Sequence, residues 1–177
     1  MGITLYHGTN RQSAIRICDG NIDVRYNKHR KLDFGPGFYT TDDINRARAW
    51  ALRKANTRND LPALVVVEFD DTQAQDDDII KAFQDDLTWG QFIINNRNGY
   101  GYIQKISNKL NNLDQNFDIT YGRVSDVEVT DVADTLLKEG TELKDLSGIL
   151  NPNYPFQYVF HTENSLNYIK KKYWRPA

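Results

Sequence analysis

His7 ends the alternating run Ile3-Thr4-Leu5-Tyr6-His7 and is followed directly by Gly8 and Thr9. Some thirty residues later Gly35-Pro36-Gly37-Phe38-Tyr39 sets two glycines beside aromatic side chains. Trp50 stands eleven residues past Tyr39, and Gln157 falls in the late run Phe156-Gln157-Tyr158-Val159-Phe160-His161. An imidazole of ordinary pKa, ~6.5, both donates and accepts hydrogen bonds near neutrality. A glycine lets a ligand come close to the backbone, aromatic faces hold a flat cation with roughly 0.5–2 kcal/mol, and an uncharged amide offers a donor and an acceptor. Each residue also has a plain structural reading. His7 can be a satisfied core histidine, Gly35-Pro36-Gly37 a turn, Tyr39 and Trp50 core side chains, and Gln157 a paired or solvent-facing amide.

Other chemistries are poorly supplied. Three histidines far apart and one cysteine offer no metal-ligand spacing, and no Gly-x-Ser-x-Gly elbow or Ser-His-Asp arrangement is present. Neither a Gly-x-Gly-x-x-Gly nor a P-loop opens a helix. The single Cys18 excludes an intrachain disulfide and fits a reducing compartment, where it reads as a small core residue. With 22 Lys and Arg against 24 Asp and Glu, the net charge of -2 gives no global attraction to nucleic acid or membrane. Met1 to His7 has no basic start and no apolar stretch, and no apolar run reaches the ~18 residues of a membrane span, so a cytoplasmic protein without membrane contact is expected.

The elements that must position these residues follow from periodicity. Ile3 to His7 reads as a strand, residues 11–18 as a short helix, and Leu64-Val65-Val66-Val67-Glu68-Phe69 as a buried central strand. Thr41 before Asp42-Asp43 reads as the N-cap of a helix running to about residue 55, with Ala47, Trp50 and Ala51 on one face. Helices are expected at 89–94, 103–113, 130–138, 141–147 and from Glu163 to Lys172, and strands at 117–122 and 156–161. Strands and helices alternate without a βα rhythm, which predicts an α+β fold. Residues 1–177 are short enough for a single domain. Between Arg25 and Arg58 lie nine Lys and Arg against three Asp. That stretch is either a solvated face or a surface for the phosphates of a cofactor or of a nucleic-acid acceptor.

Taken in order, Tyr6-His7-Gly8-Thr9, Gly35-Pro36-Gly37-Phe38-Tyr39 and Gln157 resemble the His-Tyr-Glu signature of the ADP-ribosyltransferase superfamily, in its diphtheria-toxin-like and poly-ADP-ribose-polymerase-like branch. The likeness is closest to a group of small bacterial proteins of that superfamily. It extends through Leu32 to Thr41, Ala49-Trp50-Ala51, Phe117 to Gly122 and Gln157 to Thr162, and is thinnest over residues 73–113. It implies a split antiparallel β-sheet core of two small sheets flanked by helices, with a mainly helical insertion at about 73–113. It also implies NAD+ as co-substrate, no metal, and transfer of a single ADP-ribose to a protein or nucleic-acid acceptor. Small members are often toxins or defence effectors, so a neutralising antitoxin protein is a further expected partner.

By that resemblance His7, Tyr39 and Gln157 are the catalytic positions, and His7, Gly8, Thr9, Gly37, Tyr39, Trp50 and Arg30 bind the co-substrate. His7 would hold a ribose hydroxyl, Gly8 would meet the nicotinamide carboxamide through its backbone, and Tyr39 and Trp50 would sandwich the ring. Thr9 and Arg30 would touch ribose and pyrophosphate. Gln157 stands where the signature has glutamate. An amide can bind the ribose 2′-OH but has no charge to offset an oxocarbenium-like state, which argues against chain elongation. Asp33, Glu163 or Asp118 could supply a missing acid. His161, on the Gln157 face of its strand, reads as a buried hydrogen-bonded histidine or as a neighbour of the acceptor, and His29 as a surface residue. Two other readings stay open: a degenerate domain that only binds NAD+ or ADP-ribose, and an NAD+-dependent RNA 2′-phosphotransferase, whose later arginines are replaced here by Tyr39 and Gln157.

Overall fold

The β-branched run Leu64 to Val67 is apolar without interruption because both of its faces are covered. It forms the middle of β3 (Pro62–Phe69), the central strand of a three-stranded antiparallel sheet ordered β1-β3-β7. The computed structural model describes residues 2–84, 87–98, 110–125 and 154–177. β1 (Ile3–Asn10) pairs with β3 in the register His7 to Val65, and β7 (Ile169–Pro176) covers its other edge. A second sheet is ordered β2-β6-β5-β4, from β2 (Phe38–Thr40), β6 (Phe156–Phe160), β5 (Ile119–Arg123) and β4 (Ile80–Ala82). Its pairings are antiparallel except β4 with β5. The described residues thus form an α+β fold with two sheets.

The sheets meet through one core. Leu5, Val65, Val67 and Phe69 from the first pack with Phe38, Ile119 and Phe160 from the second. The far face of the second sheet carries another cluster, in which Phe34, Phe83 and Val159 meet Trp89, Phe92, Ile93 and Ile94 of α4 (Leu87–Asn98). The remaining helices are α1 (Arg11–Asp19), α2 (Ile44–Arg58) and α3 (Asp71–Asp76), with a 3-10 turn at Asn164–Tyr168. Within 73–113 the described residues therefore hold helix, but also β4.

α2 lies on the outer face of β1 and β3 through Ala47, Ala51 and Ala55. Their small side chains let the helix backbone come so close that a Cβ on Gly8 would stand 2.0 Å from the Ala47 carbonyl oxygen. Trp50 does not share that face. An indole cannot fit under a helix held this near a strand, and Trp50 is 42% exposed, its ring against the Arg53 guanidinium at 5.4 Å.

Three further expectations need correction. Glu163 to Lys172 is not a helix: the chain makes the short 3-10 turn and then β7. Leu166, Ile169 and Tyr173 have helical spacing, but the open edge of β3 needs a partner for its buried N–H and C=O groups, and that requirement outweighs local propensity. The cap of α2 is Asp43, whose Oδ1 accepts from the N–H groups of Asn45 and Arg46 at 2.8 and 3.1 Å. Thr41 is instead bound to β1. Residues 110–113 are not helical, and Asn112 is held in a loop by Asn96 and Phe117. The expected helices at 103–109, 130–138 and 141–147 lie outside the described residues.

Candidate active site at the seam of the two sheets

β1 and β2 run side by side for one residue pair and then part. Tyr6 and Thr41 exchange both backbone hydrogen bonds, at 2.8 and 3.0 Å, and no further ladder bond joins these strands. One residue beyond that pair the His7 side chain takes over, its Nδ1 lying 2.7 Å from the Tyr39 carbonyl oxygen. A carbonyl can only accept, so Nδ1 carries the proton and neutral His7 keeps Nε2 as an acceptor. The ring lies 4.7 Å from Phe38. Burial lowers its pKa, the Tyr39 carbonyl opposes this, and the charge of Lys54 lowers it further.

Thr41 is the hub. Its backbone binds Tyr6, next to His7, and its hydroxyl donates to the Phe156 carbonyl at 2.9 Å, next to Gln157. Tyr39 pairs with Val159, so Tyr39 and Gln157 share a face of the second sheet. Gln157 is 7% exposed, and its Nε2 is buried with no hydrogen-bond partner among the described residues. Such an orphaned donor costs about 1–3 kcal/mol, which marks the position as one not optimised for stability alone.

Tyr39 offers its ring and not its hydroxyl. The hydroxyl donates to the Gly35 carbonyl at 2.7 Å and accepts from the Phe34 N–H at 3.1 Å. Burial and then the Asp33 charge push its pKa well above the ordinary value, so it cannot act as a base. The loop it holds is fixed twice more. Asn27 binds both the N–H and the C=O of Gly37 at 2.9 Å, and His161 Nδ1 donates to the Pro36 carbonyl. Gly35 adopts φ +80°, and a Cβ on Gly37 would lie 2.5 Å from Val159 Cγ1, so glycine is required at both positions.

His161 is fully buried and doubly bonded, its Nε2 accepting from the Thr120 hydroxyl at 2.8 Å. Burial holds its pKa down to about 4 against the opposing Pro36 carbonyl and Asp118 charge. It is a structural pin of the loop. Asp33 is bound by Arg97 and by the Ser125 N–H, and Asp118 accepts from Thr162 and Asn164. Glu163 is exposed before the 3-10 turn.

Thr9 is buried on the His7 face of β1. Gly8 turns its Cβ side to α2, and no ring contact among the described residues joins Trp50 to Tyr39. Arg30 and His29 are exposed and Cys18 is half-buried. From sequence Thr41 reads only as a helix cap, and neither Asn27 nor Lys54 is placed at the site. Asn27 carries a local signal as a turn-forming residue ten positions before Gly37.

A family model described as a protein of unknown function (DUF3990) matches residues 3–171. The chain belongs to the DUF3990 family. No curated protein and no solved structure matches this DUF3990 chain. Among its described residues no group of three or more His, Cys, Asp or Glu is arranged to hold a metal ion, and no helix is long and apolar enough to cross a membrane.

Proposed function

We propose that the chain is an NAD+-dependent mono-ADP-ribosyltransferase with the split-sheet architecture of that superfamily, acting on a macromolecular acceptor. The observation that carries the reading is the convergence on Thr41. Supporting it, His7 is bound to the Tyr39 carbonyl, and Thr41 links Tyr6, beside His7, to Phe156, beside Gln157, where two strands diverge.

NAD+ supplies a ribose whose bond to nicotinamide breaks through an oxocarbenium-like state. His7 Nε2 accepts from a ribose hydroxyl while the Tyr39 carbonyl holds the tautomer. The Tyr39 ring, anchored by its own hydroxyl, gives a fixed π face for a pyridinium. Gln157 Nε2 has a free N–H to donate to a hydroxyl oxygen. Lys54 and Arg30, with no ion-pair partner among the described residues, offer positive charge for phosphates. Because Asp33 is bound to Arg97, charge stabilisation at the ribose falls to the acceptor and to dipoles. That suits a single transfer.

Incubation of the protein with radiolabelled NAD+ and a cell extract, divided into protein and nucleic-acid fractions, tests this. Label retained by the wild type and lost in His7→Ala is the expected result. Binding of NAD+ without nicotinamide release would refute transfer and leave a binding domain.

A further inference from the structure

The basic stretch from Arg25 to Arg58 is not neutralised in the fold. Of its three acids, Asp33 is bound to Arg97 and Asp43 caps α2, while Asp42 makes no ion pair among the described residues. Nor does any described residue form an ion pair with Arg16, Arg30, Lys54 or Arg58. The lysines of β7 differ. Lys170 and Lys171 meet Asp70 and Glu68 at 3.6 and 3.4 Å, and Lys172 donates to the Ile17 carbonyl at the end of α1.

These unpaired cations gather around one aromatic ring. Tyr26 is 65% exposed, more than any other large hydrophobic side chain among the described residues, and its hydroxyl accepts from Arg58 Nη2 at 3.4 Å. Successive tight turns from Asp23 to Arg30, tied to Gly37 by Asn27, hold the segment against the site loop. On α2, Trp50, Lys54 and Arg58 stand four residues apart in one row. The charges are close enough to act on one another. Arg58, Arg16 and Arg30 lower the Tyr26 pKa, and burial, then Arg30 and Arg58, lower that of Lys54, which itself bears on His7. Lys54 thus stands within electrostatic reach of both His7 and the cations beside Tyr26.

The chemistry selects its ligand. Two phosphates of a dinucleotide cannot satisfy four unpaired cations, and a small co-substrate held at His7 gives no reason for an exposed ring at the far end. A backbone with one negative charge per nucleotide and bases free to stack matches both features. Bases in a duplex are already stacked and would leave Tyr26 unused.

We propose that this face binds single-stranded nucleic acid, with Tyr26 stacking on a base and Arg16 and Arg58, the cations left over beyond the Lys54 and Arg30 offered to NAD+, meeting backbone phosphates, so that nucleic acid is the acceptor class. The acceptor assignment rests on the function proposed above; the binding surface does not. In the transfer, a nitrogen or oxygen nucleophile of the strand forms a bond to the ribose C1′ as the bond to nicotinamide breaks. Nicotinamide leaves with the electron pair, and the nucleophile's proton goes to solvent.

The test is fluorescence anisotropy of labelled oligothymidylate and oligouridylate of about 16 nucleotides, with the full chain and no NAD+. A labelled hairpin duplex and a polyglutamate peptide serve as competitors. Salt-dependent binding of the single strands is expected, weakened about tenfold in Tyr26→Ala. The slope of log K against log salt should fall by about 0.7 for each cation removed in Arg16→Gln and Arg58→Gln, with nicotinamide release from NAD+ unchanged in all three. Absence of binding, binding unaffected by these variants, or preference for the duplex or for polyglutamate would overturn the proposal. Nicotinamide release without oligonucleotide binding overturns the surface alone, and binding without NAD+ turnover overturns the transferase reading alone.

Discussion

His7 Nδ1 lies 2.7 Å from the main-chain oxygen of Tyr39, so the tautomer of His7 is set by the backbone of Tyr39. Above its lowered pKa, His7 is a neutral Nδ1–H tautomer with Nε2 accepting. Nicotinamide release should therefore be level near neutrality and fall on an acidic limb below about 6.5, the unperturbed value. Lys54 contributes to the lowering, so Lys54→Met should move that limb to higher pH. An unmoved limb in the pH profile of this variant would separate Lys54 from the titration.

The fully buried His161 has a stability signature. Folded His161 titrates at about 4 and an unfolded histidine near 6.5, so between these values the unfolded chain binds more protons. Its contribution is complete above about pH 6.5 and is lost as pH falls towards 4, a change of about 3 kcal/mol. Urea unfolding across that window should show the slope in the wild type and a shallower one in His161→Ala. That variant also loses the bonds to Pro36 and Thr120, so it is less stable at neutral pH.

The close approach of α2 to β1 makes Gly8 sensitive for a reason unrelated to ligands. In Gly8→Ala the methyl group would meet backbone, the Ala47 carbonyl and the Ala51 nitrogen, and neither can rotate away. The helix must move, at a cost of about 1–3 kcal/mol or more. Gly20→Ala meets only the Arg16 carbonyl oxygen, at 3.0 Å, and should melt within a few degrees of wild type. Equal melting temperatures for the two variants would contradict the packing described.

How far the sequence reached depends on how local each cause is. β1 and β3 were legible because alternation and a run buried on both faces are properties of a single strand. β7 was not, because its reason for being a strand is the unsatisfied edge of β3, which lies a hundred residues away in the chain. The positions of His7, Tyr39 and Gln157 could be read as a pattern. Thr41 could not be read as their junction, since it looks like a helix cap until Tyr6 and Phe156 are known to flank it. Spacing alone puts Trp50 beside Ala47 and Ala51, because it does not report how near α2 lies to Gly8.

Thr41 can be tested as a positioning residue. Thr41→Val keeps the shape and the backbone pairing with Tyr6 but removes the hydroxyl that donates to Phe156 and accepts from the Asp43 N–H. A stability loss of about 1 kcal/mol is expected, with a larger fall in kcat than in apparent affinity for NAD+ as the Gln157 strand loosens. Thr41→Ser should restore both. Unchanged kcat in the valine variant would reduce Thr41 to a structural link.

Gln157 sets stability against function. Its buried Nε2 has no partner among the described residues, so Gln157→Leu removes an unsatisfied donor while keeping apolar volume, and the urea midpoint should rise. The same change deletes the group proposed to bind the ribose hydroxyl, and transfer should cease. Gln157→Glu replaces the amide with a carboxylate in a site 7% exposed, so the variant should be less stable than wild type at neutral pH. It should regain part of that stability on acidification as the carboxyl is protonated. If Gln157 faces the ribose, the added charge favours the oxocarbenium-like state, and Gln157→Glu should release nicotinamide to water faster than the wild type. A leucine variant that is more stable and still transfers label would remove Gln157 from the site.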